Sequence, residues 1–227
     1  MSELPSGWAM ASLKQVAAFV TDGDHNPPRR VREGVPHLTA RNVKGGHLVL
    51  DGCTFISHED FAKVSRRYAP LPGDVIVTCV GTLGQTAIVP EGLTFSADRN
   101  LAAIRPNEAM LSSFLKAALD APGPQTVMQS ASGSTAQPHL YLGDLRELTI
   151  PVPPLAEQRR IVAIIEGYSG HSIEVQSDYR RDGRCECFYR TPVVGVHDPP
   201  GLEVRDYLLD HPANLVDLCV ELLLPVQ

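Results

Sequence analysis

Residues 133–166 read GSTAQPHLYLGDLRELTIPVPPLAEQRRIVAIIE, and this stretch carries most of the information about how the chain is organised. A small polar loop leads into an amphipathic turn and then into a short strand that ends at Val152. Pro153 and Pro154 cannot extend a strand ladder or lie inside a helix, but they suit the first turn of a helix. The pattern therefore predicts a globular unit that closes at the proline pair and continues into a helix.

The helix after the prolines has an apolar side of its own. Leu155, Val162 and Ile165 recur at heptad-like spacing, with Gln158 between them. Glu157 lies near the N-terminal end of the helix, where the helix dipole favours a negative charge. A seam of this kind predicts that the helix packs against an apolar partner.

Size and composition are those of an ordinary globular protein. The chain has 227 residues, 43% of them hydrophobic and 20% charged, which fits one substantial domain with an appendage. It has no run of 18 apolar residues and no secretory pattern at its start. Five scattered cysteines suggest a reducing compartment rather than a disulfide framework. We therefore expect a cytoplasmic protein that does not span a membrane and holds no metal.

The net charge of −6 is unevenly distributed. Residues 1–150 contain 13 Lys and Arg against 14 Asp and Glu, a net of −1, whereas residues 167–227 contain 5 against 10, a net of −5. The first part also groups its basic residues into short clusters. A nearly neutral domain with basic clusters can contact nucleic acid locally, although it lacks a strong long-range field.

Periodicity predicts an α+β fold. Short strands joined by glycine turns, the clearest over residues 74–80 and 86–89, indicate a twisted mixed or antiparallel β-sheet. Apolar residues at helical spacing predict a covering helix over residues 110–120, ended by Pro122 and Pro124, and a second short helix over residues 125–131. The predicted organisation is a domain over residues 1–152, a short spacer helix over 153–166 and a tail over 167–227.

The order of several motifs resembles the specificity subunit of type I restriction-modification systems. In that family a segment like residues 133–166 ends a target-recognition domain and begins a conserved spacer helix. Asp22–Pro28 resembles another motif of the family, with Asp24 where threonine is usual. Further matching segments follow in the family's order over roughly residues 4–166, namely Gly34–Leu38, Asn42–Gly46, Ile56–Glu59 and Pro72–Ile76.

The resemblance implies a sequence-specific DNA-binding subunit that is not itself catalytic. Such a subunit reads half of a bipartite site on double-stranded DNA and docks methyltransferase subunits, which bring the methyl donor, while the restriction subunit joins through the complex. The chain itself would need no cofactor. Two single-domain chains could pair through their spacer helices, along Leu155, Gln158, Val162 and Ile165.

Candidate DNA contacts are the basic and amide side chains in predicted loops. Arginine can donate to both acceptors on guanine, Asn and Gln can bracket adenine, and lysine holds phosphates. For each single residue, a solvated surface charge is the competing interpretation. The candidates are Arg29, Arg30, Arg32, Arg41, Asn42, Lys44, Arg66, Arg67, Gln137 and His139.

Other functions remain open. Asp22, Asp24 and His25 could hold Mg²⁺ in a stand-alone nuclease, but the same residues are common in turns that cap their own backbone. A folded remnant could also bind methyltransferase subunits without binding DNA, and so act as a decoy. An adenine methyltransferase is disfavoured, because Arg29 follows Asn26-Pro27-Pro28 where a stacking ring is required.

The tail departs from the family pattern. Gly167, Tyr168, Ser169 and Gly170 interrupt the helical pattern, and glycine inside a helix costs about 1 kcal/mol. Residues 213–224 could form one more apolar helix. A frameshift or recombined junction after residue 166, and a genuine small second module, are both compatible with this sequence.

Overall fold

The computed structural model describes residues 4–26, 28–130 and 138–169, together with the backbone of 174–179 and 185–190; side chains are described as far as residue 166. The strands are β1 (Ala9–Ser12), β2 (Ala17–Asp22), β3 (Arg30–Val31), β4 (Val35–Leu38), β5 (Val43–Lys44), β6 (His47–Leu48), β7 (Thr54–Ile56), β8 (Val75–Thr78), β9 (Thr86–Ile88), β10 (Ser96–Ala97), β11 (Leu101–Pro106), β12 (Thr149–Val152), β13 (Glu174–Tyr179) and β14 (Cys185–Arg190). The α-helices are α1 (Leu13–Val16), α2 (His58–Val64), α3 (Ser112–Asp120), α4 (Pro122–Ser130), α5 (Leu142–Glu147) and α6 (Leu155–Ser169), and Ala40–Asn42 forms a 3₁₀ turn.

A four-stranded antiparallel sheet lies at the centre of the domain, in the order β2-β11-β8-β9. Its middle strands are buried on both faces, because their side chains alternate between two hydrophobic cores. Val75 and Val77 of β8 enter one core, and Ile76 enters the other. A sheet covered on both sides explains why Val75, Ile76 and Val77 of β8 are apolar without alternation.

Helices cover the first face of the central sheet. The first core joins buried residues of α1, α3, α4, α5 and α6 to the sheet, including Leu115 and Leu119 of α3. α3 begins at Ser112 and ends at Asp120, close to its prediction. The two prolines after it play a different role from the one predicted, because Pro122 begins α4 instead of merely ending α3. Proline at a first helical position loses no hydrogen bond, since that N–H has no partner within the helix.

A second four-stranded sheet covers the other face, in the order β10-β4-β7-β3. β4 runs parallel to β10 and antiparallel to β7. Leu38 of β4 and Ala97 of β10 pack into the second core with Leu101 and Ala103 of the central sheet. The predicted α+β class, with mixed and antiparallel β-structure and packed helices, is confirmed, with the strands divided between two main sheets.

The two ends of the domain meet. β1 pairs antiparallel with β12, from Ala9 opposite Val152 to Ser12 opposite Thr149. The chain then passes through the proline pair into α6, which continues through Gly167 to Ser169, beyond the predicted end at residue 166. In the tail, β13 and β14 pair antiparallel. The predicted helix over residues 213–224 lies outside the described residues.

No helix within these described ranges has both the length and the apolar character needed to cross a lipid bilayer.

Candidate DNA-contact surface

Connecting segments meet at one end of the central sheet, which we call the loop end. It comprises residues 22–26, 28–30, 79–84, 98–100 and 138–141. Backbone hydrogen bonds join them: Gly23 N donates to Leu101 O at 3.1 Å, Cys79 N to Asn100 O at 2.8 Å, and Leu140 N to Cys79 O at 2.9 Å. The antiparallel register places these segments together, because β2 and β8 end where β11 begins. Loops on a rigid sheet are the usual carriers of binding residues.

The turn after β2 is packed tightly against the end of β10. A side chain on Gly23 would overlap the carbonyl oxygens of Ala97 and Asp98, so this position accepts glycine for space and not for a left-handed backbone. The backbone N–H of Asp24 donates to Ala97 O at 2.9 Å, and Asp24 Oδ1 accepts from the backbone N–H of Asn26 at 3.2 Å. The Asp-Gly-Asp motif therefore builds a fixed turn, as its Asx chemistry predicts.

Asp22, the last residue of β2, holds this turn in place through its side chain. Its Oδ1 accepts a hydrogen bond from Arg67, and its Oδ2 lies 2.6 Å from His25 Nε2. Burial alone would raise the pKa of Asp22, but the hydrogen bonds and charges of Arg67 and His25 outweigh it and hold that pKa below its usual value. Asp22 is therefore a charged structural residue.

This arrangement does not favour the nuclease interpretation. The Arg67 guanidinium and the His25 ring already contact the two oxygens of Asp22 that a cation would need. Among the described residues, no group of three or more His, Cys, Asp or Glu side chains is arranged to hold a metal ion. Arg67 itself is half exposed and tied to Asp22, so its first role is to position the turn.

A pocket of about 330 Å³ opens between this turn and α2. Its basic residues are not free charges, because Lys63 pairs with Glu59 at 2.9 Å and with Asp60 at 3.3 Å. The pocket therefore offers both donors and acceptors without a strong charge of one sign. It is lined by Asp24, Asn26, Pro28, Asp60, Lys63, Val64 and Arg67.

The predicted arginine cluster lies beside this turn. Arg29, Arg30 and Arg32 are exposed at and around β3, the edge strand of the second sheet. Arg30 donates to the carbonyl of Pro28 at 2.8 Å. Arg66 is exposed just beyond α2, next to Arg67. These side chains keep the accessibility that a DNA contact requires.

The second predicted cluster contains one residue that cannot reach DNA. Asn42 is 3% exposed, and its amide donates to Val49 O at 2.9 Å while its Oδ1 accepts from the backbone N–H of Thr39 at 3.0 Å. It therefore shapes the 3₁₀ turn and leaves the set of proposed DNA contacts. Arg41 and Lys44, on either side of it, are exposed.

Two predicted contacts, Gln137 and His139, belong to the segment before α5. Gln137 lies outside the described residues. His139 is half-buried, forms an isolated bridge with Val80, and its ring lies 4.4 Å from that of Tyr141. Tyr141 is 60% exposed. No periodic pattern in the sequence indicates this aromatic pair, which depends on the β-bridge between His139 and Val80.

The spacer helix is held against the domain through Gln158. This side chain is fully buried: its Oε1 accepts from Leu111 N at 2.9 Å, and its Nε2 donates to Ala109 O at 2.9 Å and Pro153 O at 3.0 Å. Gln158 is therefore a domain residue, and its predicted place on a partner-facing seam is wrong. Val162 and Ile165 also pack partly against the first core, whereas Leu155 is half-buried.

Comparison with known proteins agrees with this architecture. Residues 5–178 match the family model described as the type I restriction modification DNA specificity domain. The chain therefore belongs to this family of type I restriction-modification specificity subunits, and the resemblance inferred from the motifs is confirmed.

Individual relatives match over part of their length. The EcoBI specificity subunit of Escherichia coli is 26% identical over 167 residues, which cover 72% of this chain and 35% of that protein. The HsdS subunit of Thermoanaerobacter tengcongensis, a solved structure, has 24% identity and a TM-score of 0.54, covering 74% of this chain and 39% of the other. The likeness to the solved structure supports the fold, and this chain spans well under half of either relative.

Proposed function

We propose that residues 4–166 form a DNA target-recognition unit that reads one half of a bipartite site. The observation that supports this most directly is the loop end. There, the family's Asp-Gly turn and the His139 segment meet at one end of the central sheet, and the arginines that follow the turn lie at the edge strand β3 of the second sheet. Exposed Arg29, Arg30, Arg32, Arg41, Lys44 and Arg66 are the proposed contacts, with Gln137 and His139 retained from the family motif.

The charge distribution indicates that tight DNA binding requires other subunits of the complex as well as this chain. Only exposed arginines and lysines can neutralise phosphates, and several here are already paired with carboxylates of the same chain. Each neutralised phosphate steepens the fall of affinity with salt by about one unit on a double-logarithmic plot. Residues 1–150 carry a net charge of −1, so the domain lacks a strong overall attraction to DNA and should bind it weakly alone and tightly within a complex.

The partners follow from the family. We propose that methyltransferase subunits dock on this chain and supply the methyl donor and catalysis, and that a restriction subunit joins through them. We further propose that the chain itself is not catalytic. Pairing of two chains through α6 would use the parts of Leu155, Val162 and Ile165 that the domain leaves exposed, without Gln158.

Binding by the full chain tests the proposal. Gel shifts with randomised duplexes, with and without purified type I methyltransferase subunits, should reveal a preferred sequence in their presence. The preferred sequence should bind roughly 10³-fold more tightly than unrelated duplexes. Repeating the titration between about 50 and 200 mM salt separates phosphate contacts from base contacts.

Two matched variants sharpen the experiment. Arg66→Ala should weaken binding to every duplex alike and flatten the salt dependence by about one unit, as expected for a phosphate contact. Arg159→Ala, an exposed arginine of α6 remote from the loop end, should leave DNA affinity unchanged. Binding to methyltransferase without any sequence preference would contradict the recognition role and favour the decoy.

A further inference from the structure

Arg99 lies at the tip of a short turn between β10 and β11, at the loop end. The side chain is exposed. Among the described residues its guanidinium has no hydrogen-bond partner, although its charge acts on the neighbouring Asp98 carboxylate. Arg99 is not among the DNA contacts predicted from the sequence, because nothing in the local pattern shows which end of the sheet this turn occupies.

The turn that carries Arg99 is rigid. Asp98 Oδ1 accepts from the backbone N–H of Asn100, and Oδ2 accepts from the Asn100 amide, both at 2.8 Å. The backbone of Asp98 donates to Leu38 O at 3.0 Å, and Leu101 N donates to Asp98 O at 3.1 Å. These bonds fix both neighbours of Arg99 to the two sheets, so the side chain leaves the protein from a defined position.

Arg99 lies near other side chains of the loop end that could contact DNA bases. Asn100 O accepts from Cys79 N, and Cys79 O accepts from Leu140 N, so two backbone pairings separate the Arg99 turn from the segment that carries the tilted His139 and Tyr141 rings. Neighbouring strands are about 4.8 Å apart, which makes this separation roughly 10 Å. The major groove of B-DNA is about 12 Å wide, so Arg99 and the aromatic pair can contact the same groove.

The charge and shape of Arg99 suit a base contact. The Asp98 carboxyl lies close enough to Arg99 for their charges to interact, and Arg30 acts on the same carboxyl. A nearby carboxyl weakens the long-range attraction of Arg99 to phosphate. The planar guanidinium presents paired donors in a fixed fork, which matches the two acceptors on the major-groove edge of guanine.

We propose that Arg99 is a specificity-determining residue that donates two hydrogen bonds to a guanine edge in the major groove. The proposal rests on the proposed DNA-recognition function and adds to it one residue and one base type. Asp98 is then a positioning residue, which acts only through the turn that presents Arg99.

The test is a selection from randomised duplexes by the full chain together with methyltransferase subunits. Three variants are compared with the wild-type chain: Arg99→Ala, Arg99→Lys and, as the control cation, Arg159→Ala. Arg99→Ala should lose preference for guanine at one position and bind the wild-type sequence roughly 5- to 150-fold more weakly. Arg99→Lys should not restore it, because an ammonium lacks the two-pronged geometry.

The possible results separate the two proposals. If the wild-type chain selects a sequence and Arg99→Ala selects the same one at the same affinity, this inference is overturned and the recognition function stands. Equal weakening on all duplexes, rescued by lysine, would make Arg99 a phosphate contact and also overturn it. If the wild-type chain shows no preference even with methyltransferase, the recognition function itself fails. Thermal melting of Arg99→Ala should match the wild type, since the side chain is exposed.

Discussion

Asp22 and Gly23 show how a motif that resembles a catalytic one can serve to position the backbone. Sequence alone leaves Asp22, Asp24 and His25 open to two interpretations, a metal site or a turn. The structure favours the turn, because both oxygens of Asp22 are engaged by Arg67 and His25. The partner Arg67 lies 45 residues away, so no local pattern could have indicated this pair.

Replacing Gly23 with alanine should destabilise the domain by about 1–3 kcal/mol, the usual cost of forcing extra atoms into a packed site. The added methyl group would overlap the carbonyl oxygens of Ala97 and Asp98 and push the turn away from β10. Urea unfolding of the purified full chain measures the change.

Gly143→Ala is the matched control for this prediction. Gly143 lies in α5, and nothing stands within 4 Å of the position that its Cβ would occupy. Alanine there should be neutral or stabilising by up to about 1 kcal/mol, because it favours the helix. Equal unfolding midpoints for Gly23→Ala and wild type would show that the close approach at Gly23 carries no energetic cost.

Among the elements, α6 is the one whose surroundings the sequence predicted least well. Its start after the proline pair and its apolar face were predictable from composition and spacing. The sequence could not predict what this apolar face packs against. The same heptad spacing is expected whether the helix contacts another chain or its own domain. Gln158 settles this point for its own position, since all its partners lie in residues 109–111 and 153.

Gln158→Leu should lower the free energy of unfolding by about 2–4 kcal/mol, because three buried backbone groups lose their partner. The substitution keeps a similar volume, so the loss reports hydrogen bonding more than packing. Arg159→Leu, on the exposed side of the same helix, should change stability by no more than about 0.5 kcal/mol. Similar effects of the two changes in urea unfolding would show that the interior amide does not hold the helix in place.

For the whole molecule, the sequence predicted the class of fold and most of the elements but not their arrangement. Strands separated by glycine turns are recognisable locally, and β8 and α3 lie close to their predicted positions. The pairing of β1 with β12, and of β4 with β10, joins residues far apart in the chain and leaves no periodic trace. The same is true of the loop end, whose members become neighbours only through those pairings.

A buried histidine in the second sheet makes the stability of the fold depend on pH. His37 of β4 is fully buried, where its Nδ1 lies 3.2 Å from Ser96 Oγ. Burial, reinforced by the charge of Arg30 and opposed by that of Asp24, lowers the pKa of His37 from 6.5 to about 4. Between these two values the unfolded chain binds a proton that the folded chain rejects. The folded state is therefore fully favoured above pH 6.5 and loses stability as the pH falls towards 4.

We expect the free energy of unfolding to fall by up to about 1.4 kcal/mol for each pH unit across that window from this one residue. Urea unfolding at a series of pH values measures the slope in the wild-type chain and in His37→Gln, which should be less stable at neutral pH but lose this part of the slope. His47→Gln, at an exposed position of β6, should keep the wild-type slope. An identical pH profile for His37→Gln and the wild type would assign the acid sensitivity to other groups.

The ribbon of β1 and β12 has a practical consequence for anyone who wishes to exchange this domain. Since Ala9 lies opposite Val152, the first and last strands of the domain are adjacent, and the chain enters and leaves the domain at the same place. A foreign insert with its own pair of joined termini could be spliced between these two points without stretching the chain on either side. The inserted domain would have to preserve the pairing of Ala9–Ser12 with Thr149–Val152.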